Sequence, residues 1–202
     1  MVKEMILKAD FVPVTIINEQ RSKLMFKTED VTNPVYKKDK DGNIIVDEDG
    51  NPIIDHYEDT DYCNVLVEYF RGERTESAMR KLIADWYDPE TDAKILNGMV
   101  WKSFEGEDIP VYLSTENQFN FKSAYDLAVQ TKGATLPVTF KMGEKSGVPV
   151  YHTFETMEEA NDFYTKAVSF INQTLAEGWE KKDNFDWSLY VNTPVTEEEV
   201  TE

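Results

Sequence analysis

The chain has few of the residues that build disulfide frameworks and metal sites. Its 202 residues include one cysteine, Cys63, and two histidines, His56 and His152. A single cysteine cannot form an intrachain disulfide, and no set of cysteines exists for a structural zinc site. We therefore expect folding in a reducing compartment such as the cytoplasm.

Long apolar runs and an excess of basic residues are also missing. No apolar stretch reaches the length of a membrane-spanning helix, and the first residues do not resemble a signal peptide, so we expect no contact with a membrane. Lysine and arginine number 21 against 39 aspartates and glutamates, for a net charge of −18. Because phosphate backbones and anionic lipids attract basic faces, this charge argues against binding to nucleic acid or to a membrane. Mimicry of nucleic acid for a basic partner stays open, although solubility is the simpler explanation.

The residues that are present suffice for a hydrophobic core, because 41% are hydrophobic and 12% aromatic. Short apolar runs alternate with polar breaks from Met5 to Phe26, and residues 61–70 repeat the pattern, which indicates antiparallel strands. Between them, the Asp-Lys-Asp-Gly-Asn of residues 39–43 is echoed by the Asp-Glu-Asp-Gly-Asn of residues 47–51. Asp-Gly and Gly-Asn favour tight turns with positive φ, so this echo predicts successive hairpins of a β-meander.

Beyond residue 73 the apolar period changes from strand-like to helical. Apolar residues recur at helical spacing from Met79 to Trp86, and Pro89 predicts the end of that helix. Two short apolar runs, at residues 99–101 and 109–113, are spaced to pair as a hairpin.

The stretch from Pro110 to Gly178 has the clearest start and stop signals. Ser114 is a good N-cap residue for a helix that Gly133 ends. Thr156 and Glu159 form a capping box, in which each side chain is expected to bond the other residue's backbone N–H. The apolar stripe of this second helix ends at Gly178.

Two strand-like runs lie between those helices. Residues 136–140 and 148–151 are rich in β-branched and aromatic side chains, and residues 143–147 form a turn-like connection. A helix, a hairpin and a helix therefore make one expected folding unit.

These patterns predict an α+β fold class, with a β-rich N-terminal meander or small barrel followed by the helix, hairpin, helix unit. We predict a β-rich docking part over residues 1–72 and an α+β domain over residues 73–190. Residues 191–202 are predicted to form an acidic mobile tail.

The acidic loop carries the pattern closest to a metal site. Asp39, Asp41, Asp47 and Asp49 alternate in the manner of calcium ligands. An EF-hand loop needs three spaced ligands before its glycine and a glutamate at its twelfth position, and each copy here has one ligand too few. Turn chemistry explains both copies. We predict no metal site, and calcium binding by the loops stays an open question.

Signatures of catalysis are absent from the sequence. Neither His56 nor His152 has a nucleophile signature beside it, and Cys63 lies in a strand-like run where a buried, inert thiol is common. The nine glycines form no phosphate-binding loop. We therefore predict no enzyme activity and no cofactor. A metal-dependent hydrolase that uses the acidic loop or His152 is the alternative from this class.

Apolar residues outside the core-facing stripes indicate contact with a partner chain. Such side chains supply interface area when they are exposed on a soluble protein. The partner-binding candidates are Phe119, Val129, Phe170, Trp179, Trp187 and Tyr190.

The second half of the chain also resembles a known family. The residues that carry the resemblance are Met99-Val100-Trp101, Ile109-Pro110-Val111-Tyr112-Leu113-Ser114, Phe121 to Tyr125, Gly133, Val138-Thr139-Phe140 and the helix from Thr156 to Trp179. From Ser77 to Lys182 the pattern resembles a small domain of unknown function found in tail-region proteins of tailed bacteriophages and prophages, including those of gut bacteria. In that family a hairpin leads into a helix, a strand pair and a long helix.

The resemblance implies a structural or adaptor protein of the tail region that acts through protein–protein binding. Its implied partners are other tail or virion proteins, with a homo-oligomer inside the assembly. The implied location is the virion, assembled in the host cytoplasm, and the family offers no catalytic residues to carry over. The alternatives are a tail-fibre assembly chaperone that leaves before the virion is complete, the hydrolase, and the acidic nucleic-acid mimic.

Overall fold

The computed structural model describes residues 1–192 and shows a mixed α+β fold, which confirms the predicted fold class. It divides into two compact units, one made of residues 1–79 with 186–192 and one made of residues 80–185. The division lies inside the helix Glu76–Asn97 (α1), whereas the sequence pattern placed it at residue 72. Residues 186–190, which the sequence analysis grouped with the α+β domain, belong to the first unit. Residues 193–202 of the predicted tail lie outside the described residues.

The first unit is built on an antiparallel sheet of four strands. The strands are Val2–Leu7 (β1), Val14–Asn18 (β2), Arg21–Tyr36 (β3) and Ile54–Arg71 (β4), and their order in the sheet is β1-β4-β3-β2. The two central strands, of 16 and 18 residues, are much longer than the edge strands. They therefore continue past the sheet as a two-stranded ribbon, paired from Thr32 and Asp59 to Tyr36 and Ile54.

Both faces of this sheet bury apolar side chains. On one face Cys63, Val65 and Val67 form a cluster, against which Ile6, Phe11 and Met25 pack. Leu24 and Phe26 alternate with Met25 along β3, and both are fully buried. The Tyr190 ring, just after the short 3₁₀ helix Trp187–Leu189, stacks on Phe26 with ring centroids 4.5 Å apart. Tyr190 therefore packs on the sheet of its own unit.

The repeated Asp-Gly-Asn turns form a three-arm junction at the end of the ribbon. In each repeat the first aspartate accepts hydrogen bonds from two backbone N–H groups of its own turn, Asp39 from Asp41 and Asn43, and Asp47 from Asp49 and Asn51. Isolated bridges pair Lys38 with Ile44 and Val46 with Pro52, while Tyr36 pairs with Ile54 in the ribbon. We call residues 36–54 the platform.

A closed ring of backbone hydrogen bonds holds the platform together. The Ile45 N–H donates to the Lys37 carbonyl at 2.8 Å, the Ile53 N–H to the Ile45 carbonyl at 3.0 Å, and the Lys37 N–H to the Ile53 carbonyl at 2.9 Å. The three donors are spaced eight residues apart, which is the period of the sequence echo. The predicted turns are therefore present, and they form two arms of a junction whose third arm is the ribbon.

The second unit combines two hairpins with helices. After α1 come Met99–Lys102 (β5), Asp108–Val111 (β6), Thr115–Gln130 (α2), Val138–Lys145 (β7), Val148–Phe154 (β8) and Met157–Asp183 (α3). The predicted pairings are confirmed, because β5 pairs with β6 and β7 pairs with β8, both antiparallel. The core of this unit consists of Ile95, Trp101, Ile109, Val111, Leu113, Phe121, Met142, Phe154, Ala160, Phe163 and Ala167. Among residues 1–192, no helix is both long and apolar enough to cross a membrane.

Two predicted helix ends are wrong, because packing overrides the local stop signals. Helix α1 continues through Pro89 to Asn97, and its later turns place Ile95 in the core. Helix α3 continues through Gly178 to Asp183. A Cβ at position 178 would lie 2.5 Å from Thr91 Oγ1, so this glycine allows close approach of α1 and does not end the helix.

The predicted turn at residues 143–147 is shorter than expected. Strand β7 extends to Lys145, and the turn consists of Ser146 and Gly147, both with positive φ. A Cβ on Gly143 would lie 2.6 Å from the Pro110 carbonyl oxygen. Gly143 therefore serves the close packing of β7 against β6, where the Tyr112 N–H donates to the Met142 carbonyl at 2.8 Å.

Candidate interaction surface

The start of α2 is held by side-chain hydrogen bonds to the backbone. Ser114 Oγ accepts from the Asn117 N–H at 3.2 Å, which confirms the predicted N-cap. Asn117 Nδ2 donates to the Tyr112 carbonyl at 3.0 Å, and Gln118 Nε2 donates to the Leu113 carbonyl at 2.7 Å. These bonds define how the first turns of α2 are oriented on the core.

Phe119 projects from this helix into solvent. The core-facing side of α2 carries Phe121 and Ala128, which are buried. Two residues before Phe121 the helix has turned away from that side, so Phe119 does not face the core. Its side chain is 69% exposed, which makes it the most exposed of the large apolar residues in the described part of the chain.

An apolar groove of about 300 Å³ lies beside Phe119, between α2 and α3. Its lining consists of Leu113, Thr115, Gln118, Phe119, Phe121, Lys122, Tyr164, Ala167, Val168 and Ile171. At its rim Lys122 pairs with Asp126, and this hydrogen bond raises the pKa of the Lys122 ammonium. An apolar floor with a charged, hydrated rim suits the insertion of an apolar side chain from a partner protein. We call this site the Phe119 groove.

The six predicted partner-binding residues differ in their exposure and in the surface to which they belong. Phe119, Val129 and Trp179 are exposed, but only Phe119 lines the groove beside α2. Trp187 and Tyr190 are 9% and 2% exposed, so neither presents a free surface. Their burial in the first unit removes them from the candidate surface.

Phe170 is half-buried and belongs to a different groove, of about 530 Å³, between α1 and α3. The walls of this groove carry both basic and acidic side chains. Lys94 pairs with Glu177 at 2.6 Å, and a bond from Lys94 followed by one from Gln173 lowers the pKa of the Glu177 carboxyl. Because Lys94 on α1 and Glu177 on α3 pair with each other, we assign this groove to the packing of α1 on α3.

His152 and Glu159 form a buried polar pair that the sequence analysis did not connect. His152 Nε2 lies 2.9 Å from Glu159 Oε1, and the two side chains are 16% and 11% exposed. Glu159 Oε2 accepts from the Glu155 N–H at 3.4 Å, and the Glu159 N–H donates to Thr156 Oγ1 at 3.2 Å. The Thr156 half of the capping box is confirmed, while the Glu159 carboxylate bonds His152 and Glu155 and thereby ties β8 to the start of α3.

Aromatic rings cover the His152 side of this pair. The ring centroids of Trp101 and Phe154 lie 5.0 Å and 4.8 Å from that of His152, and both contacts are edge-on. Trp101 Nε1 donates to Asp162 Oδ2 at 3.0 Å, and Asp162 also pairs with Lys166. The bond to Lys166, followed by that to Trp101, lowers the pKa of the Asp162 carboxyl. These polar groups are satisfied within the unit, which is typical of a structural network.

Among the described residues, His56 and Cys63 do not lie close enough to act as a pair. His56 and Cys63 belong to the same extended strand, seven residues apart, which separates them by about 23 Å. The carboxylates of Asp39 and Asp47 have lowered pKa values because the backbone N–H groups of Asn43 and Asn51, respectively, donate to them. Within residues 1–192, no group of three or more His, Cys, Asp or Glu side chains is arranged to hold a metal ion.

Sequence reasoning missed the α3 side of the Phe119 groove. It assigned Tyr164 and Ile171 to the apolar stripe of the helix, together with Ala160, Phe163, Ala167 and Leu175, and it did not name Val168. In the structure Tyr164, Val168 and Ile171 line the groove, because one edge of the stripe extends beyond the core.

Comparisons with known protein families, curated proteins and solved structures give no match. The resemblance to phage tail-region domains therefore depends on the sequence pattern of residues 77–182.

Proposed function

We propose that this chain is a structural or adaptor protein of a bacteriophage tail, located in the virion, that binds neighbouring tail proteins without catalysing a reaction. The Phe119 groove is the observation that carries this proposal. It combines an aromatic side chain in solvent with an apolar floor and a charged rim. A partner side chain inserted there would cover Phe119 and remove apolar surface from water.

The sequence pattern supplies the context for this binding role. The resemblance covers the segment that contains β5, β6, α2, β7, β8 and α3, in the order described for the tail-region family. The net charge of −18 disfavours non-specific contact with DNA and lipid and suits a protein that binds selected protein surfaces.

The proposal is tested in a phage or prophage that encodes this chain. Phe119→Ser should lower the amount of the chain retained in gradient-purified particles by about tenfold, because covering this phenylalanine contributes roughly 1.5 kcal/mol. Immunoblotting of particles and of lysate measures the retained fraction. The substitution is at a solvent-exposed position, so the fold should survive it.

Phe104→Ser is the matched control, because Phe104 is also an exposed phenylalanine but lies outside the Phe119 groove. It should leave retention unchanged. Equal retention of the wild-type chain and Phe119→Ser would contradict a role for the groove. Wild-type chain abundant in lysate but absent from particles would favour the assembly chaperone instead.

A further inference from the structure

The platform at the end of the β3–β4 ribbon exposes an apolar surface that the proposed function leaves unused. Ile44, Val46 and Ile54 are each at least two-fifths exposed, although they are aliphatic. The hydrogen-bond ring and the turns described above hold their backbone, so this exposure does not come from an unstructured loop. Exposed aliphatic residues held on a rigid frame and surrounded by polar residues are characteristic of interaction sites.

Strand geometry places Ile44, Val46 and Ile54 on one face of the platform, whereas Ile45, which is 39% exposed, lies on the other. Residues paired across antiparallel strands share a face, and so do residues two positions apart along a strand. The three pairs are Tyr36 with Ile54, Lys38 with Ile44, and Val46 with Pro52. Because the pairs are also linked by two-residue steps along the chain, all six side chains lie on the same face of the platform. Five of the six are apolar.

The charge around this face selects the kind of partner. The platform itself carries five carboxylates, Asp39, Asp41, Asp47, Glu48 and Asp49, against three lysines, Lys37, Lys38 and Lys40, and four more carboxylates follow it along β4 at Asp55, Glu58, Asp59 and Asp61. Backbone hydrogen bonds lower the pKa values of Asp39 and Asp47, so these carboxylates remain charged in mildly acidic solution. A second copy of the chain would bring the same negative charge to the contact.

We propose that the apolar face of the platform binds a partner protein whose own apolar contact residues are surrounded by lysine and arginine. Aliphatic contact supplies the area, and opposite charges at the rim align the partner and repel acidic competitors. This inference does not depend on the Phe119 groove, which lies in the other unit, and either site can fail without the other.

Synthetic peptides of twelve residues test the proposed chemistry on the full chain. An alternating valine–lysine peptide should bind. A serine–lysine peptide should bind at least about tenfold more weakly, because it lacks the apolar face. A valine–glutamate peptide should not bind, because its charge has the same sign as that of the platform. Amide NMR signals of the ¹⁵N-labelled chain should shift mainly within residues 36–54. No binding of the valine–lysine peptide, equal binding of the serine–lysine peptide, or shifts concentrated outside the platform would overturn the proposal.

Variants then separate the apolar and charged contributions. Ile44→Ser combined with Val46→Ser should weaken the valine–lysine peptide about tenfold. The control pair, Val100→Ser with Val148→Ser, removes two exposed valines from the other unit and should have no effect. Equal affinities of the two double variants would overturn the proposal.

Glu48→Lys provides a second test, because it changes a charge on the platform and should leave the backbone of the turn intact. Lys40 occupies the equivalent position of the first repeat, so lysine is compatible with this backbone. The substitution should weaken the valine–lysine peptide about threefold to fivefold at low salt, and the same charge change at Glu180→Lys should have a smaller effect. Equal effects would overturn the proposal. So would sedimentation showing a wild-type dimer that Ile44→Ser with Val46→Ser dissociates, because the occupant would then be a second copy.

Discussion

Tyr190 links the C-terminal segment to the sheet of the first unit through several directional contacts. Its hydroxyl donates to the Met25 carbonyl at 2.8 Å, and its own carbonyl accepts from Arg74 Nε at 3.0 Å. Arg74 also donates to Ser22 Oγ at 2.8 Å, and its carbonyl accepts from the Asn192 N–H. Because the Tyr190 side chain is buried against Phe26, its hydroxyl depends on the Met25 carbonyl as a hydrogen-bond partner.

Tyr190→Phe should lower the free energy of unfolding of the first unit by about 1 kcal/mol at neutral pH, since one buried hydrogen bond is lost. Burial raises the pKa of the Tyr190 phenol above its ordinary value of 10.0. A raised pKa means that the folded state keeps the proton more strongly, so this stabilisation is complete below pH 10 and is lost as the pH rises further. Above pH 10, the free energy of unfolding should therefore fall less steeply with pH in Tyr190→Phe than in the wild type.

Urea titrations monitored by circular dichroism between pH 7 and pH 11 measure this effect. Tyr57→Phe is the control, because Tyr57 is exposed on β4. An alkaline stability loss of the same size in wild type and Tyr190→Phe would contradict the assignment.

His152→Ala should destabilise the second unit by about 2 kcal/mol, because it leaves the buried Glu159 carboxylate without its imidazole partner. His56→Ala is the matched control. His56 is exposed and pairs with Asp55 and Glu58 at the surface, where such pairs contribute at most about 1 kcal/mol. Urea unfolding followed by tryptophan fluorescence compares the two. A larger loss of stability in His56→Ala than in His152→Ala would show that the buried pair does not hold β8 to the start of α3.

At the scale of the elements, the contact between α1 and α3 depends on one small residue. Gly178 meets Thr91 at a distance that leaves no room for a Cβ, and Thr91 Oγ1 donates to the Tyr87 carbonyl at 2.8 Å. On both sides of this contact lysine–carboxylate pairs join the helices, Lys94 with Glu177 and Lys182 with Asp88.

Gly178→Ala should destabilise the second unit by about 2 kcal/mol, because the added methyl overlaps Thr91. In a Thr91→Ala background the same change should cost much less, or even stabilise, because alanine has a helix propensity about 1 kcal/mol better than glycine. A double-mutant cycle by urea unfolding measures the coupling. Equal effects of Gly178→Ala in both backgrounds would mean that Thr91 is not the obstacle.

The elements with strong local signals could be predicted from the sequence. Ser114 and Thr156 each cap a helix as expected, and the two hairpins of the second unit pair as their apolar runs indicate. The errors occur where tertiary contact outweighs local preference. Pro89 and Gly178 are helix-ending residues by propensity. The turns beyond Pro89 place Ile95 in the core, however, and Gly178 itself packs closely against Thr91.

The candidate surfaces could be predicted only in part, for a related reason. Phe119 was identified because it departs from the helical stripe, which is a local property. Trp187 and Tyr190 were misjudged because their burial depends on a segment that returns to the first unit from more than a hundred residues away. The ring of hydrogen bonds in the platform was missed because the turn signals show each hairpin but not the bonds that join three arms.

For the whole molecule, the two units present different candidate surfaces. The first unit carries the hydrogen-bonded platform, which combines an apolar face with an excess of carboxylates, and the second carries the Phe119 groove. The proposed adaptor role requires contacts with at least two neighbours, and one candidate surface in each unit would supply them. The net charge of −18 keeps the remaining surface from non-specific association.

The central claim, a tail component retained in the virion, is tested most directly by quantitative mass spectrometry of gradient-purified particles from a phage that encodes this chain. We predict that its peptides follow the particle peak at a constant ratio to the major tail protein through successive gradients. A chain that is abundant in the lysate but lost from the particle peak would contradict the claim.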